Sequence, residues 1–190
     1  WEKYFCIVTD AEMVNVLFPY QRQCGENFMV CRSPGALAEP WTRAGARAQV
    51  AWSREGRGPL ISLSEEDRAF GTEMLTRMNV PGDAWYVGLH AREGGFYYEA
   101  QDGISQHRNS SIDDYMASIE AIVARGGIVI RLGDASMSPM PPMPGVIDYA
   151  HSPEKSPRMD LFLLATSRFV IGTTSGLTTA THSFGTPTLL

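Results

Sequence analysis

From Ser64 onward the chain alternates short apolar, β-favouring runs with segments that carry an apolar stripe at helical spacing, and few folds accommodate that alternation. The runs predict strands over 85–90, 128–132, 146–148, 168–172 and 186–190. Between them, helix signals recur. Ser64 and Asp67 form a start signal reinforced by Glu65 and Glu66, and Phe70, Met74 and Met78 follow on one face. Ser110 or Ser111 caps a second helix with the stripe Tyr115, Ile119, Ile122 and Val123, ended by Gly126-Gly127. Ser156-Pro157 opens a third, largely buried helix through Met159, Leu161, Phe162, Leu163 and Leu164. Thr173-Thr174-Ser175-Gly176 opens a fourth, which Gly185 ends. Strands that alternate with helices join through right-handed crossovers into a mostly parallel sheet. The expected fold is therefore α/β and Rossmann-like, with helices on both faces of the sheet.

Residues 1–59 differ in character. Short apolar runs at 4–8 and 13–18 give way to an irregular stretch rich in Gly, Arg, Pro and Ala. This part reads as the end of a preceding domain plus a connector, and 60–190 as a Rossmann-like domain truncated at its C-terminus. A chain that begins with Trp1 and stops inside a strand reads as a fragment of a longer protein.

Charge narrows the partners. A formal net charge of −5 argues against a general nucleic-acid binder. The only lysines are Lys3 and Lys155, so an anion site here is expected to be built from arginine. Cys6, Cys24 and Cys31 give neither a disulfide framework nor a metal-ligand spacing, which points to a reducing, cytoplasmic setting. No apolar run reaches the roughly 18 residues of a membrane span.

A parallel α/β sheet binds its ligands beyond the carboxyl ends of its strands. Three predicted strand ends carry polar groups there: His90 and Arg92, Arg131 with Asp134, and Thr173-Thr174-Ser175-Gly176. A guanidinium fork grips two phosphate oxygens at once, and a helix start offers unpaired N–H groups to an anion. Together they suit a nucleoside diphosphate held without a metal. Each also has a structural alternative. His90 can be a satisfied strand-end histidine, Arg131 can pair with Asp134 or Asp148, and the Thr/Ser run can be a plain helix cap. Competing motifs are missing: there is no G-x-G-x-x-G, P-loop, G-x-S-x-G or D-x-D, and His90, His107, His151 and His182 show no metal spacing. The Pro/Met-rich stretch 137–144 reads as a surface loop, with a lid over a ligand as the alternative.

The run His90-x-Arg92-Glu93, Arg108-Asn109, Tyr115, Ile130-Arg131-Leu132-Gly133-Asp134, Asp148-Tyr149-Ala150, Asp160-Leu161-Phe162 and Gly172 to Leu177 resembles a bacterial glycosyltransferase family of surface-polysaccharide gene clusters. More distantly it is similar to the donor-binding half of protein-O- and α1,6-fucosyltransferases. The resemblance spans about 60–190. It implies the C-terminal, donor-binding half of a GT-B enzyme, in which two Rossmann-like domains face each other across a cleft. It implies Arg92 on the donor pyrophosphate, Ser175 and its neighbours Thr173, Thr174 and Gly176 at the β-phosphate, and Asp134 and Asp160 near the nucleotide or holding the site's shape. His90, Arg108, Arg131 and Gly133 join that donor-binding set. Where the family has Asp after the Arg this chain has Glu93, one methylene longer, which alters the reach of a general base at that place. The activity implied is metal-independent transfer of a sugar from a nucleoside-diphosphate sugar to a hydroxyl of a glycan or lipid-linked glycan. It needs no cofactor, and it sits in the cytoplasm or at the inner face of the membrane, with peripheral membrane contact through other parts of the protein. The alternative is a non-catalytic nucleotide-sugar or glycan-binding module on the same fold.

Overall fold

The computed structural model describes residues 28–29, 39–40, 50–59, 61–94 and 106–190. The chain divides into two compact units, Trp1–Gly58 and Pro59–Leu190. In the first, Phe28–Met29 pairs antiparallel with Glu39–Pro40, and residues 50–54 are helical. The apolar runs expected at 4–8 and 13–18 lie outside the described residues.

The second unit holds a parallel sheet of five strands: β1 (Tyr86–His90), β2 (Ile128–Arg131), β3 (Val146–Ile147), β4 (Val170–Gly172) and β5 (Thr188–Leu189). Their order across the sheet is β3-β2-β1-β4-β5, and every described pairing in it is parallel. The chain first winds outward from β1 through β2 to β3, then crosses back and builds β4 and β5 on the other side. The order therefore reverses between β1 and β4, the place where an open α/β sheet leaves a crevice beyond its strand ends.

Among the described residues four α-helices accompany the sheet: α1 (Glu65–Arg77), α2 (Met116–Val123), α3 (Pro157–Thr166) and α4 (Gly176–Phe184). Side chains of a strand alternate between the two faces, and the core divides accordingly. Val87, Leu89 and Val129 pack with Ile119 and Ile122 of α2. Tyr86, Ile130, Leu132 and Val170 pack with Met74 of α1 and with Met159, Phe162 and Leu163 of α3, joined at the edge by Leu177 and Ala180 of α4. Helices thus cover both faces, and Val87, Val129, Ile130 and Val170 are fully buried. The α/β expectation holds on the described residues.

Local signals act as their chemistry requires. Ser64 accepts from the Asp67 amide, Ser156 from the Met159 amide, and Gly185 closes α4 in the left-handed region. Arg158 at the start of α3 donates to Asp67 at 2.8 Å and Glu66 at 2.9 Å, tying α3 to the first turn of α1. Four elements differ from the sequence expectation. Ser111 caps a 3₁₀ turn, Ile112–Tyr115, and α2 proper starts only at Met116. The strands over 168–172 and 186–190 shorten to three and two residues. Leu161 stands 46% exposed, because it lies about 200° around the helix from both Met159 and Leu163, which are buried.

Candidate functional site

β1 and β4 approach closely at the point of reversal. His90 pairs with Gly172, and the Thr173 amide donates to the His90 carbonyl at 3.0 Å. A Cβ on Gly172 would lie 2.2 Å from that carbonyl oxygen, so only glycine lets the two strand ends meet. One turn further, the Arg92 amide donates to Thr173 Oγ1 at 3.0 Å. The two strand exits are therefore locked to each other by main-chain geometry.

Beyond them lies a cavity of about 300 Å³, at the lower end of the range for small-molecule sites. His90, Arg92 and Glu93 from the β1 exit form one side, together with Arg108 from the 3₁₀ turn Gln106–Arg108. Ser175, Gly176 and Leu177 from the start of α4 form another. Gly133, Asp134 and Met137 from the β2 exit, and Lys155 and Asp160 from the start of α3, complete it. Gly133 makes the β2 wall possible. It adopts a φ of +150°, and a Cβ there would fall 2.0 Å from Met137 Sδ.

The start of α4 offers less of Ser175 than the sequence suggests. Ser175 Oγ accepts from the Thr178 amide at 3.2 Å, and the Ser175 amide donates to Thr178 Oγ1 at 2.9 Å. This reciprocal capping box occupies both polar groups of Ser175. The first-turn amides of Gly176 and Leu177, which a helix start leaves without intrahelical partners, face the task instead. Thr173 engages Arg92, Thr174 is exposed, and neither lines the cavity.

Arg131 is completely buried and takes no part in the lining. Its Nη2 donates to Glu93 Oε1 at 2.6 Å, and its Nη1 donates to the Ser138 carbonyl and, at 3.4 Å, to Asp148 Oδ1. The second Glu93 oxygen accepts the Ser138 amide at 2.8 Å, and Asp148 Oδ2 accepts the Met140 amide at 3.0 Å and His151 Nδ1 at 2.9 Å. Burial without compensation is costly for a guanidinium, and two carboxylates supply the compensation. Of the partners open to it from sequence, Arg131 takes Asp148 and not Asp134. The stretch 137–144 is fastened by its backbone at Ser138 and Met140 to this buried cluster, and its first residue, Met137, lines the cavity. Glu93, the carboxylate placed as a candidate base, has both oxygens engaged.

Asp160 is also occupied. Lys155 Nζ reaches both of its oxygens, at 2.7 and 2.5 Å, and the Tyr149 hydroxyl donates to Oδ1 at 2.9 Å. Burial, with Asp160 nearby, raises the Tyr149 hydroxyl pKa, so Tyr149 stays a neutral donor. Lys155 is a cavity residue that sequence reasoning did not assign; its signal was its isolation as one of two lysines. Met137, from the Pro/Met-rich stretch, and Leu177, from the run Gly172 to Leu177, likewise line the cavity, though neither was assigned to the site.

His90 is 7% exposed, and its Nδ1 lies 3.3 Å from the Leu132 carbonyl. A carbonyl only accepts, so Nδ1 carries the proton and Nε2 is the acceptor. Burial is the main cause that pulls the imidazole pKa below its ordinary value; Arg131 and Arg92 add to it, while the Leu132 bond and Asp134 oppose it.

Among the described residues, no group of three or more His, Cys, Asp or Glu side chains is placed to hold a metal ion. No helix among them is long and apolar enough to cross a membrane. Compared with known proteins, the chain matches no family model, no curated protein and no solved structure.

Proposed function

We propose that this cavity binds a nucleoside-diphosphate sugar and that the protein, as the donor-binding half of a GT-B-type glycosyltransferase, passes the sugar to a glycan hydroxyl. One observation carries the reading: Arg92, Arg108 and the first turn of α4 line a single cavity at the point where the strand order reverses. Two guanidinium groups and a helix start suit the two phosphates of the donor. In the transfer, negative charge develops on the departing diphosphate, and groups fixed in place beforehand stabilise it at no reorganisation cost. Arg92 and the Gly176 and Leu177 amides take that part, so no metal is required. Asp134 and the Lys155–Asp160 pair bound the remainder of the cavity, where the rest of the donor would lie.

A second reading, a module that binds the nucleotide sugar without turnover, is favoured by the engagement of both Glu93 oxygens. Thermal shift against a panel of UDP-, GDP- and dTDP-sugars tests binding. A ligand at a hundred times its dissociation constant adds about 2.7 kcal/mol of stability. Release of the nucleoside diphosphate from the same ligand separates enzyme from module. Absence of a shift with every member of the panel would count against both.

A further inference from the structure

We infer that His90, and not Glu93, is the proton acceptor of the cavity: its Nε2 takes the proton of the hydroxyl that attacks the bound sugar. The inference rests on the reading of the cavity as a sugar-transfer site and assigns the base that this reading lacks.

The first support is the engagement of the carboxylates of the wall, which is complete for Glu93 and Asp160. Glu93 Oε1 is held by the buried Arg131 and Oε2 by the Ser138 amide. Asp160 has Lys155 on both oxygens and the Tyr149 hydroxyl on one. Asp134 Oδ1 accepts the Ser136 amide at 2.8 Å. The oxygens of the first two are thus already taken by partners within the protein.

The second support is the geometry of the ring. His90 lines the cavity, and the Leu132 carbonyl fixes the proton on Nδ1. That leaves Nε2 as a lone-pair acceptor in an oriented imidazole, at the end of the strand that also carries Arg92. The backbone around it is rigid, because the His90 carbonyl accepts the Thr173 amide and faces Gly172. Burial keeps the ring neutral, the form able to accept a proton. The charged groups around it are Arg131 and Asp134 from β2 and its exit, Arg92 and Glu93 on its own exit, Arg108, and the Lys155–Asp160 pair at the start of α3.

The step balances as a displacement. The acceptor hydroxyl gives its proton to Nε2 while its oxygen bonds to the anomeric carbon. The bond from that carbon to the phosphate oxygen breaks, and its electron pair leaves on the diphosphate beside Arg92. The imidazolium then returns its proton to solvent.

The decisive variant is His90→Asn, whose amide N–H can replace Nδ1–H toward Leu132 while nothing replaces Nε2. His90→Gln is the companion that does not preserve the Leu132 donor in place. The probes are UDP, GDP and dTDP and their sugars, with water and alkyl glycosides offered as acceptors. Wild type and His90→Asn are expected to bind the nucleoside diphosphate with equal affinity by calorimetry. Turnover by the variant is expected to fall on the order of 100-fold or more with KM little changed. The acid limb of the wild-type pH profile should vanish from whatever activity remains. Wild-type turnover in His90→Asn overturns the inference and leaves the sugar-transfer reading standing. Loss of nucleotide binding in both variants overturns it as well, by making His90 structural. A wild-type protein that binds nucleotide sugars but releases no diphosphate overturns the sugar-transfer reading, and the inference with it.

Discussion

Arg131 Nη2 lies 2.6 Å from Glu93 Oε1 across 38 residues of chain, and the guanidinium that makes this bond is completely buried. The pair fastens the exit of β1 to the end of β2. Removing the cation leaves Glu93 with the Ser138 amide, and Asp148 with the Met140 amide and His151, but neither with the buried guanidinium they shared. Arg131→Met is therefore expected to cost about 3–5 kcal/mol of unfolding free energy. Adding Glu93→Gln should recover part of that loss, because the partners belong to one network and do not add. Urea denaturation of the two single variants and the double variant measures this. Additive losses would show that the pair is not coupled.

How far this cluster was legible from sequence is instructive. An arginine inside the apolar run Ile128-Val129-Ile130-Arg131-Leu132 announces a buried cation that needs a carboxylate, and Asp148 was among the partners open to it. Glu93 was not, because nothing local relates the ends of β1 and β2; only the parallel register that sets Leu89 beside Arg131 brings them together. The same holds for Lys155. Its place in the cavity depends on where the chain lands after crossing to the start of α3, which periodicity does not encode. Helix ends were legible because a cap is read over a few residues: Ser64 and Ser156 at starts and Gly185 at a close act where they stand in the sequence. Ser175 shows the limit of that reading. As a cap it was legible, but the capping box with Thr178 that consumes both its polar groups appears only in three dimensions.

His90 gives stability a pH dependence whose sign follows from its lowered pKa. Above the unfolded value near 6.5, both folded and unfolded states hold a neutral ring, and the histidine contributes no slope. As pH falls through that value, the unfolded chain binds a proton that the folded chain refuses. Stability is then lost until the lower folded value is reached. Chemical denaturation from pH 7.5 down to 5 should show this decline, and His90→Asn should flatten part of it. An unchanged slope in the variant would place the acid sensitivity elsewhere.

Gly172 tests the close approach of β1 and β4. An alanine there directs its methyl at the His90 carbonyl oxygen, 2.2 Å away, and that oxygen is pinned by the Thr173 amide. A backbone atom inside a sheet cannot swing aside as a flexible side chain can. Gly172→Ala is expected to destabilise by about 1–3 kcal/mol or more, and to weaken nucleotide binding beyond what stability explains. Gly176→Ala is the control, since a Cβ at Gly176 meets nothing within 4 Å. Equal behaviour of the two variants in thermal denaturation would remove the argument.

Arg92 tests the anion site itself. Its main-chain amide holds Thr173, whereas its side chain lines the cavity, so truncation spares the contact that joins the strand exits. Arg92→Ala should keep the thermal midpoint within a few degrees of wild type. Diphosphate release should fall on the order of 100-fold or more, as when a group aimed at developing transition-state charge is removed. Lysine at the same place should restore only part of the rate, because an ammonium cannot bind two phosphate oxygens as a fork. The companion measurement is wild-type turnover in excess EDTA. If Arg92 does for the diphosphate what a cation does elsewhere, chelation leaves the rate unchanged. A rate that collapses in EDTA and returns with a divalent ion, alongside an active Arg92→Ala, would move the charge stabilisation to a metal and away from this strand exit.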